Sequence, residues 1–202
     1  MDRNVTVVEP PAPVVTLSEA RRHLVDVPQE DEGYVEDLIL AASVWLDGPT
    51  GWMGRTLGVQ TLELSRSDFW TDAEDDGIIL PFEPVISITA IEYYSTAGSL
   101  VTIPAGDYAL VRDVVRPIDG KSWPSTAGRA GAVKIRYRAG YGKPSTADPP
   151  ALVNNVPAPI RVAILMLVAQ WYRTREPVVI GAAVDKLPFA VDALLQPYRV
   201  YR

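Results

Sequence analysis

The spacing of apolar residues changes period twice along this chain, and the changes divide it into helical, β-rich and helical stretches. Residues 1–15 are proline-rich and lack a repeat, which predicts an extended arm. Thr16-Leu17-Ser18-Glu19 then reads as a capping box. The Thr16 hydroxyl can accept from the third helical N–H while Glu19 reaches back to the cap. A short helix to about Asp26 follows, with Leu17, Ala20 and Leu24 on one face, and Pro28 ends it. Val35, Leu38, Ile39, Ala42, Trp45 and Leu46 recur at helical spacing, predicting a second helix from about Asp31 to Asp47 that Gly48-Pro49 closes. From Gly58 the period becomes two. Strands are predicted near 60–64, 77–80, 85–94, 100–103, 108–111 and 132–137, separated by turns at Ala97-Gly98, Ala105-Gly106 and Asp119-Gly120. The last strand alternates most cleanly, with Val133, Ile135 and Tyr137 on one side and Lys134, Arg136 and Arg138 on the other.

After a loop over Tyr141–Pro157, the stretch Pro159–Glu176 (PIRVAILMLVAQWYRTRE) predicts a helix apolar nearly all round. Such a helix is buried on most sides. Arg161, Gln170 and Arg173 interrupt it, so it is a core helix and not a membrane span. Pro188 can open a last short helix, ending before Pro197, with Phe189, Leu194 and Leu195 on its apolar side. The expected fold class is α+β, a helical bundle formed by the N-terminal hairpin and the C-terminal helix, with an inserted β-rich block. The expected division is an arm over 1–15, a helical hairpin over 16–57 and a β-rich domain over 58–142. A linker and long buried helix take 143–176, and a short helix and tail take 177–202.

Composition narrows the class. The 202 residues, 48% hydrophobic and 22% charged, suit one globular domain or one domain with an insertion. The chain has no cysteine, which removes disulfides, thiolate metal sites and cysteine nucleophiles. Residues 1–13 lack the basic start and apolar core of a secretory signal.

The net charge of −6 hides an asymmetry. Residues 1–100 carry 5 Lys/Arg against 18 Asp/Glu, and residues 101–202 carry 14 against 7. Such an acidic chain does not read as a DNA-binding domain. Two readings of the asymmetry stand: solvated surfaces of opposite sign, or complementary surfaces that meet head to tail between identical subunits. On the second, Glu36, Asp37 and their acidic neighbours, or Asp72–Asp76, face Arg129, Lys134, Arg136 and Arg138 of a neighbour.

Catalytic chemistry is hard to assemble. His23 is the lone histidine and sits on a helix, so it reads as a surface residue. Neither Gly-x-Ser-x-Gly, Gly-x-x-x-x-Gly-Lys nor Gly-x-Gly-x-x-Gly occurs. Asp72, Glu74, Asp75 and Asp76 lack the register of a calcium loop. Trp45 and Trp171 read as core; Trp52, Trp70 and Trp123 fall in loops where a partner can reach them. The reading is of a non-enzyme without cofactor or metal.

The order of motifs resembles the head–tail connector (adaptor) proteins of long-tailed bacteriophages, a family found also in prophages and gene transfer agents. The likeness rests on LSEA (17–20), DEGYVEDLILAASVWLD (31–47), LPFEPVISITAIEYYSTAG (80–98), YRAGYG (137–142) and AILMLVAQWYRTRE (163–176). It spans about residues 16–199. It departs from the family pattern in two places. LSEA lacks the residue between Ser and Glu, and TGWMGR (50–55) stands where a Tyr-Thr-Gly-Arg type of turn is usual.

The resemblance implies a virion component, assembled in the bacterial cytoplasm and docked as a dodecameric ring beneath the portal. The ring would extend the DNA channel, joining the head to the next neck or tail component without reading the genome, and would make no membrane contact. It also implies portal contact through the C-terminal part, here Tyr198, Arg199, Tyr201 and Arg202, which Pro197 would leave free to extend. The alternative is a stand-alone β-rich ligand-binding module with helical caps, using Trp70 and Trp123.

Overall fold

The computed structural model describes residues 4–70, 76–147, 151–175 and 189–201. The chain begins as strand β1 (Asn4–Glu9) and turns into helices α1 (Leu17–Leu24) and α2 (Glu32–Leu46). The capping box is present: Glu19 N donates to the Thr16 hydroxyl at 3.2 Å, and Thr16 N donates to the Glu19 carboxylate at 2.8 Å. Strands β2 (Gln60–Arg66), β3 (Ile78–Ile79), β4 (Val85–Tyr94), β5 (Leu100–Thr102), β6 (Tyr108–Val111), β7 (Val114–Pro117) and β8 (Val133–Ala139) follow. Short strands β9 (Gly142–Pro144) and β10 (Leu152–Asn154) precede α3 (Ala158–Arg173) and, further on, α4 (Phe189–Leu195). Pro188 and Arg202 lie outside the described residues, as do Asp72, Glu74 and Asp75 of the acidic cluster.

The architecture is mixed α+β with antiparallel sheets. Five strands run in the order β1-β2-β8-β4-β5, three in the order β3-β7-β6, and β9 pairs with β10. The arm is therefore more than extended. Asn4–Glu9 pairs along β2 as an edge strand, Val5 opposite Leu64 and Val7 opposite Leu62. Val14 and Val15 are buried among the helices.

Two strand readings missed real pairings for local reasons. β6 returns into β7 through Arg112-Asp113, and Arg112 takes the left-handed φ of +59° that normally announces itself as glycine or asparagine. β9 and β10 each have three residues, too few to show a period of two, so the predicted loop conceals a hairpin.

Two hydrophobic clusters fill the molecule. One joins Ala20 and Leu24 of α1, Val35, Ile39, Ala42 and Leu46 of α2, and Ile160, Ala163, Ile164, Leu167 and Val168 of α3, with Val191 and Leu195 of α4. The other lies under the large sheet. There Leu62, Ile91, Val133, Ile135 and Tyr137 are fully buried and meet Ile78, Leu80 and Val115 from the smaller sheet. The Tyr137 hydroxyl, at the middle of this cluster, donates to the Pro81 carbonyl at 2.7 Å, so its one polar atom is satisfied.

Between the clusters the chain passes closely over itself. Gly140 sits at φ +116°, and a Cβ there would come within 2.2 Å of the Gly58 carbonyl oxygen. Only glycine fits this crossing in YRAGYG.

α3 is apolar nearly all round, yet it is not enclosed. Ile160, Ile164, Leu167 and Val168 are buried, while Val162 is 42% exposed. Trp45, expected in the core, is 40% exposed and touches Trp171 at 6.0 Å between ring centres.

Candidate interaction surfaces

The C-terminal tail is folded back and not free. After α4, a 3-10 turn over Gln196–Tyr198 carries Tyr198 against the helical cluster. Val200 N then donates to the Met53 carbonyl at 2.9 Å. Gly54 lies at φ +65°, and a Cβ there would stand 2.3 Å from the Val200 carbonyl oxygen, so the turn admits the tail only through a bare glycine.

Arg199 stacks its guanidinium 3.8 Å from the centre of the Trp52 ring and 4.6 Å from that of Tyr201. The tail's aromatic and basic residues are thus part of one surface with Trp52 and the TGWMGR turn. Arg55 continues that surface, donating to the Tyr141 hydroxyl at 2.6 Å and to Glu83 at 3.1 Å. Tyr201 remains 67% exposed, with its hydroxyl donating to the Gln196 side-chain oxygen at 2.8 Å. Sequence reasoning chose the tail but missed its seat. No local pattern links Trp52 with Arg199 across almost the whole chain.

The basic strand face is partly neutralised within its own sheet. Arg136 pairs with Glu63 at 2.7 Å and Lys134 approaches the same carboxylate at 3.6 Å. The register places Glu63 directly opposite Arg136, and Glu92 opposite Lys134. Hydrogen bonding to Glu63 raises the Arg136 pKa further above its ordinary value. Arg129 lies over the Tyr94 ring at 4.3 Å. Arg138 faces Thr61 and Ser87 in register and has no ion pair among the described residues.

The acidic side is also partly engaged. Asp31 accepts from the Tyr172 hydroxyl at 2.6 Å and from Arg175 at 2.7 Å, and these bonds hold its carboxyl below the usual range. Glu32 pairs with Arg21 at 2.6 Å. Glu36 and Asp37 remain exposed.

Asp47, just past the end of α2, is 8% exposed and forms no ion pair among the described residues. It accepts from Leu57 N at 2.7 Å, Gly58 N at 3.0 Å and the Gln60 side-chain amide at 3.0 Å. Burial outweighs these bonds and pushes its pKa from 3.8 up to about 6. The carboxylate therefore ties the end of the helical segment to the start of the large sheet. A buried structural acid of this kind is invisible in a sequence in which Asp47 reads only as the last residue of a helix.

One cleft touches Trp123, one of the two aromatic residues named for ligand binding. Tyr93, Ile103, Pro104, Pro124 and Trp123 line it beside the Asp107–Lys121 ion pair at 3.0 Å. Trp123 is occupied on one face, stacked 4.9 Å from Phe69, and its N–H donates to the Asp76 carbonyl at 2.8 Å. Trp70 is 73% exposed and does not line this cleft. A ligand site needs convergent free polar groups on its apolar wall; here the charged pair and the indole N–H bond within the protein. Among the described residues no three His, Cys, Asp or Glu are grouped to hold a metal, and no helix is long and apolar enough to cross a membrane.

This fold is shared, over almost its whole length, with chains in solved structures of gene transfer agent particles and their necks. One is the neck of an empty gene transfer agent (GTA) particle computed with C6 symmetry, at TM-score 0.69 and 23% identity, covering 98% of this chain and 96% of that one. A second is the virion of a native GTA particle, at 0.67 and 23%, and a third the neck of a native GTA particle computed with C12 symmetry, at 0.62 and 24%; both cover 98% and 96% of the two chains. No protein-family model and no curated protein matches the sequence.

Proposed function

We propose that this chain is a structural head–tail adaptor: one subunit of a ring in the neck of a phage or phage-like particle, joined to the portal on one side and to a neck or tail component on the other. The observation that carries this reading is the likeness of fold to particle necks over 98% of the chain. It joins an independent sequence argument, the order of LSEA, the acidic second helix, YRAGYG and the long apolar helix. One of those necks was computed with C12 symmetry and another with C6, and the first fits a dodecamer of identical subunits with heterologous contacts.

The division into arm, hairpin, β block, long helix and tail is the organisation we assign to the subunit. Its helical segments act as a bundle that carries the β block. In that ring DNA passes without being read. A net charge of −6 repels phosphate and favours weak, salt-labile contact. Glu36 and Asp37, with Arg129, Lys134, Arg136 and Arg138, are the subunit-contact candidates, and of the four cations Arg138 is the one that neither an ion pair nor an aromatic ring engages among the described residues. Tyr198, Arg199, Tyr201 and Arg202 are the portal-contact candidates, and of these Arg199 and its neighbour Tyr201 form a shaped surface on Trp52.

Co-expression with the portal protein of the same particle tests the reading. The expected result is a stable complex whose particles show a ring by electron microscopy. A chain that stays monomeric beside a correctly assembled portal overturns it.

A further inference from the structure

We propose that the outward face of α2, centred on Leu40 and Val44, seats a second copy of this chain, which meets it with the first turn of α3 and the basic end of α1. This rests on the ring reading above and specifies its subunit contact.

The observation is a helix apolar on both sides. Val35, Ile39, Ala42 and Leu46 face the core at 3% exposure or less, while Leu40 is 57% and Val44 58% exposed. At about 100° per residue, Leu40 and Val44 lie on the side of the helix opposite that buried line. A surface helix normally keeps this side polar. Trp45, 40% exposed and leaning on Trp171, extends the apolar strip around the helix. Contiguous exposed apolar residues of this kind mark an interaction site. α2 contains no Lys or Arg, and Glu36 and Asp37 stand exposed one turn before Leu40, so the face is apolar and acidic.

The matching surface is on the same molecule. The last turn of α1 carries Arg21, Arg22 and His23. Arg21 is engaged by Glu32, whereas Arg22 is exposed and has no ion pair among the described residues. Val25 follows at φ +57°, a backbone state unfavourable for a β-branched residue, and its side chain is 68% exposed. Strain that displays an apolar side chain to solvent points to a contact made elsewhere. At the start of α3, Arg161 pairs with Glu19 in the first turn of α1, and Val162 is 42% exposed. This second face is apolar and basic.

The two faces cannot satisfy each other within one subunit. Trp171 meets Trp45 at one end of α3, and Arg161 meets Glu19 at the other, about 15 Å away along the helix axis. Two different complementary patches at opposite ends give a contact that repeats from copy to copy. A two-fold dimer would instead use one patch twice. The opposite charge of the two apolar faces, acidic on α2 and basic at the end of α1, selects a second copy as the occupant over an unrelated partner.

The absence of cysteine permits a clean test. Val44→Cys with Val162→Cys in one chain, treated with a short bismaleimide, should give a ladder of linked multimers, and either single variant should give none. Leu40→Glu with Val44→Glu should weaken self-association about tenfold or more, as loss of an interface anchor does, with an unchanged circular dichroism spectrum. Both positions are exposed, so the subunit is expected to fold. Assembly that survives the double Glu variant and yields no ladder overturns this contact and leaves the ring standing. The contact is equally overturned if the double Glu variant still forms rings but no longer joins the portal, because the face would then belong to the portal. A wild-type chain that never associates, alone or on its portal, overturns contact and ring together.

Discussion

The Arg199 guanidinium lies over the Trp52 indole, 3.8 Å from the ring centre, joining the residues after α4 to the turn that follows α2. With the Val200–Met53 hydrogen bond beside it, this contact converts a terminus into part of the folded surface. An isolated tail of this kind would fray; here stacking, a backbone bond and a glycine-shaped seat hold it.

Trp52→Ala removes the stacking partner and should cost about 0.5–2 kcal/mol, the range for a cation over an indole. Hydrogen exchange at the Val200 amide should speed up in the variant while exchange in α3 is unchanged. If the Val200 amide exchanges as fast in the wild type as in a free peptide, the tail is not seated as described. Tyr201→Ala removes the second ring on Arg199 and the bond to Gln196 but keeps the Trp52 stack and the Val200–Met53 bond. It should weaken portal binding, whereas deletion of 197–202 should abolish it; a pull-down on the portal, set beside exchange at the Val200 amide, distinguishes contact from fold.

The contact between α2 and α3 orders the helical substitutions. Ile164 is fully buried, so Ile164→Ala should cost about 2–5 kcal/mol. Trp45, at 40% exposure, should cost less on truncation, on the order of 1 kcal/mol for its pairing with Trp171. Urea midpoints that place Trp45→Ala below Ile164→Ala in stability would contradict this order.

Asp47 sets a pH dependence. Its folded pKa of about 6 lies above the ordinary 3.8, so between these values the folded chain holds a proton that the unfolded chain has released. Its contribution to stability is therefore complete below pH 3.8 and is lost as the pH rises through about 6. Asp47→Asn cannot titrate. The difference in unfolding free energy between wild type and variant should change over that window and be level above about pH 7. A difference that stays constant across the window would show that Asp47 titrates normally.

Charge reversal on the sheet should separate two roles. Arg136→Glu breaks its pair with Glu63 and places two carboxylates side by side, so it should lower stability as well as assembly. Arg138→Glu disturbs no ion pair within the described residues and should affect ring assembly while leaving the melting temperature within about 2 °C, as surface changes usually do. Raised salt should slow assembly of the proposed ring without stopping it, since exposed ion pairs contribute only about 0–1 kcal/mol each and the contact proposed on α2 is mainly apolar. Normal assembly of the doubly reversed chain would make these charges solvated surface only.

How much the sequence disclosed depends on the range of the interaction involved. The capping box at Thr16, the extents of α2 and α3, and the alternation along β8 are local, because each follows from residues within a turn or two of one another. The first and second helices, the long strand and the turn glycines were legible for that reason. Even the family likeness is a matter of local motifs in order.

Contacts across the chain were not legible. β1 pairs with β2 across a helical hairpin, and the same valines would have served equally in a free arm. Glu63 neutralises Arg136 and Lys134 only because the register of β2 and β8 sets them opposite. Asp47 is buried because Leu57, Gly58 and Gln60 return to it, and Arg199 is seated because Gly54 leaves room. The sequence alone determined which residues were apolar, which segments were helical or extended, and where turns were allowed. Tertiary structure alone decided which apolar faces found a partner inside the subunit. It left Leu40, Val44 and Val162 in solvent, because burial is a property of the assembled surfaces and not of any single helix.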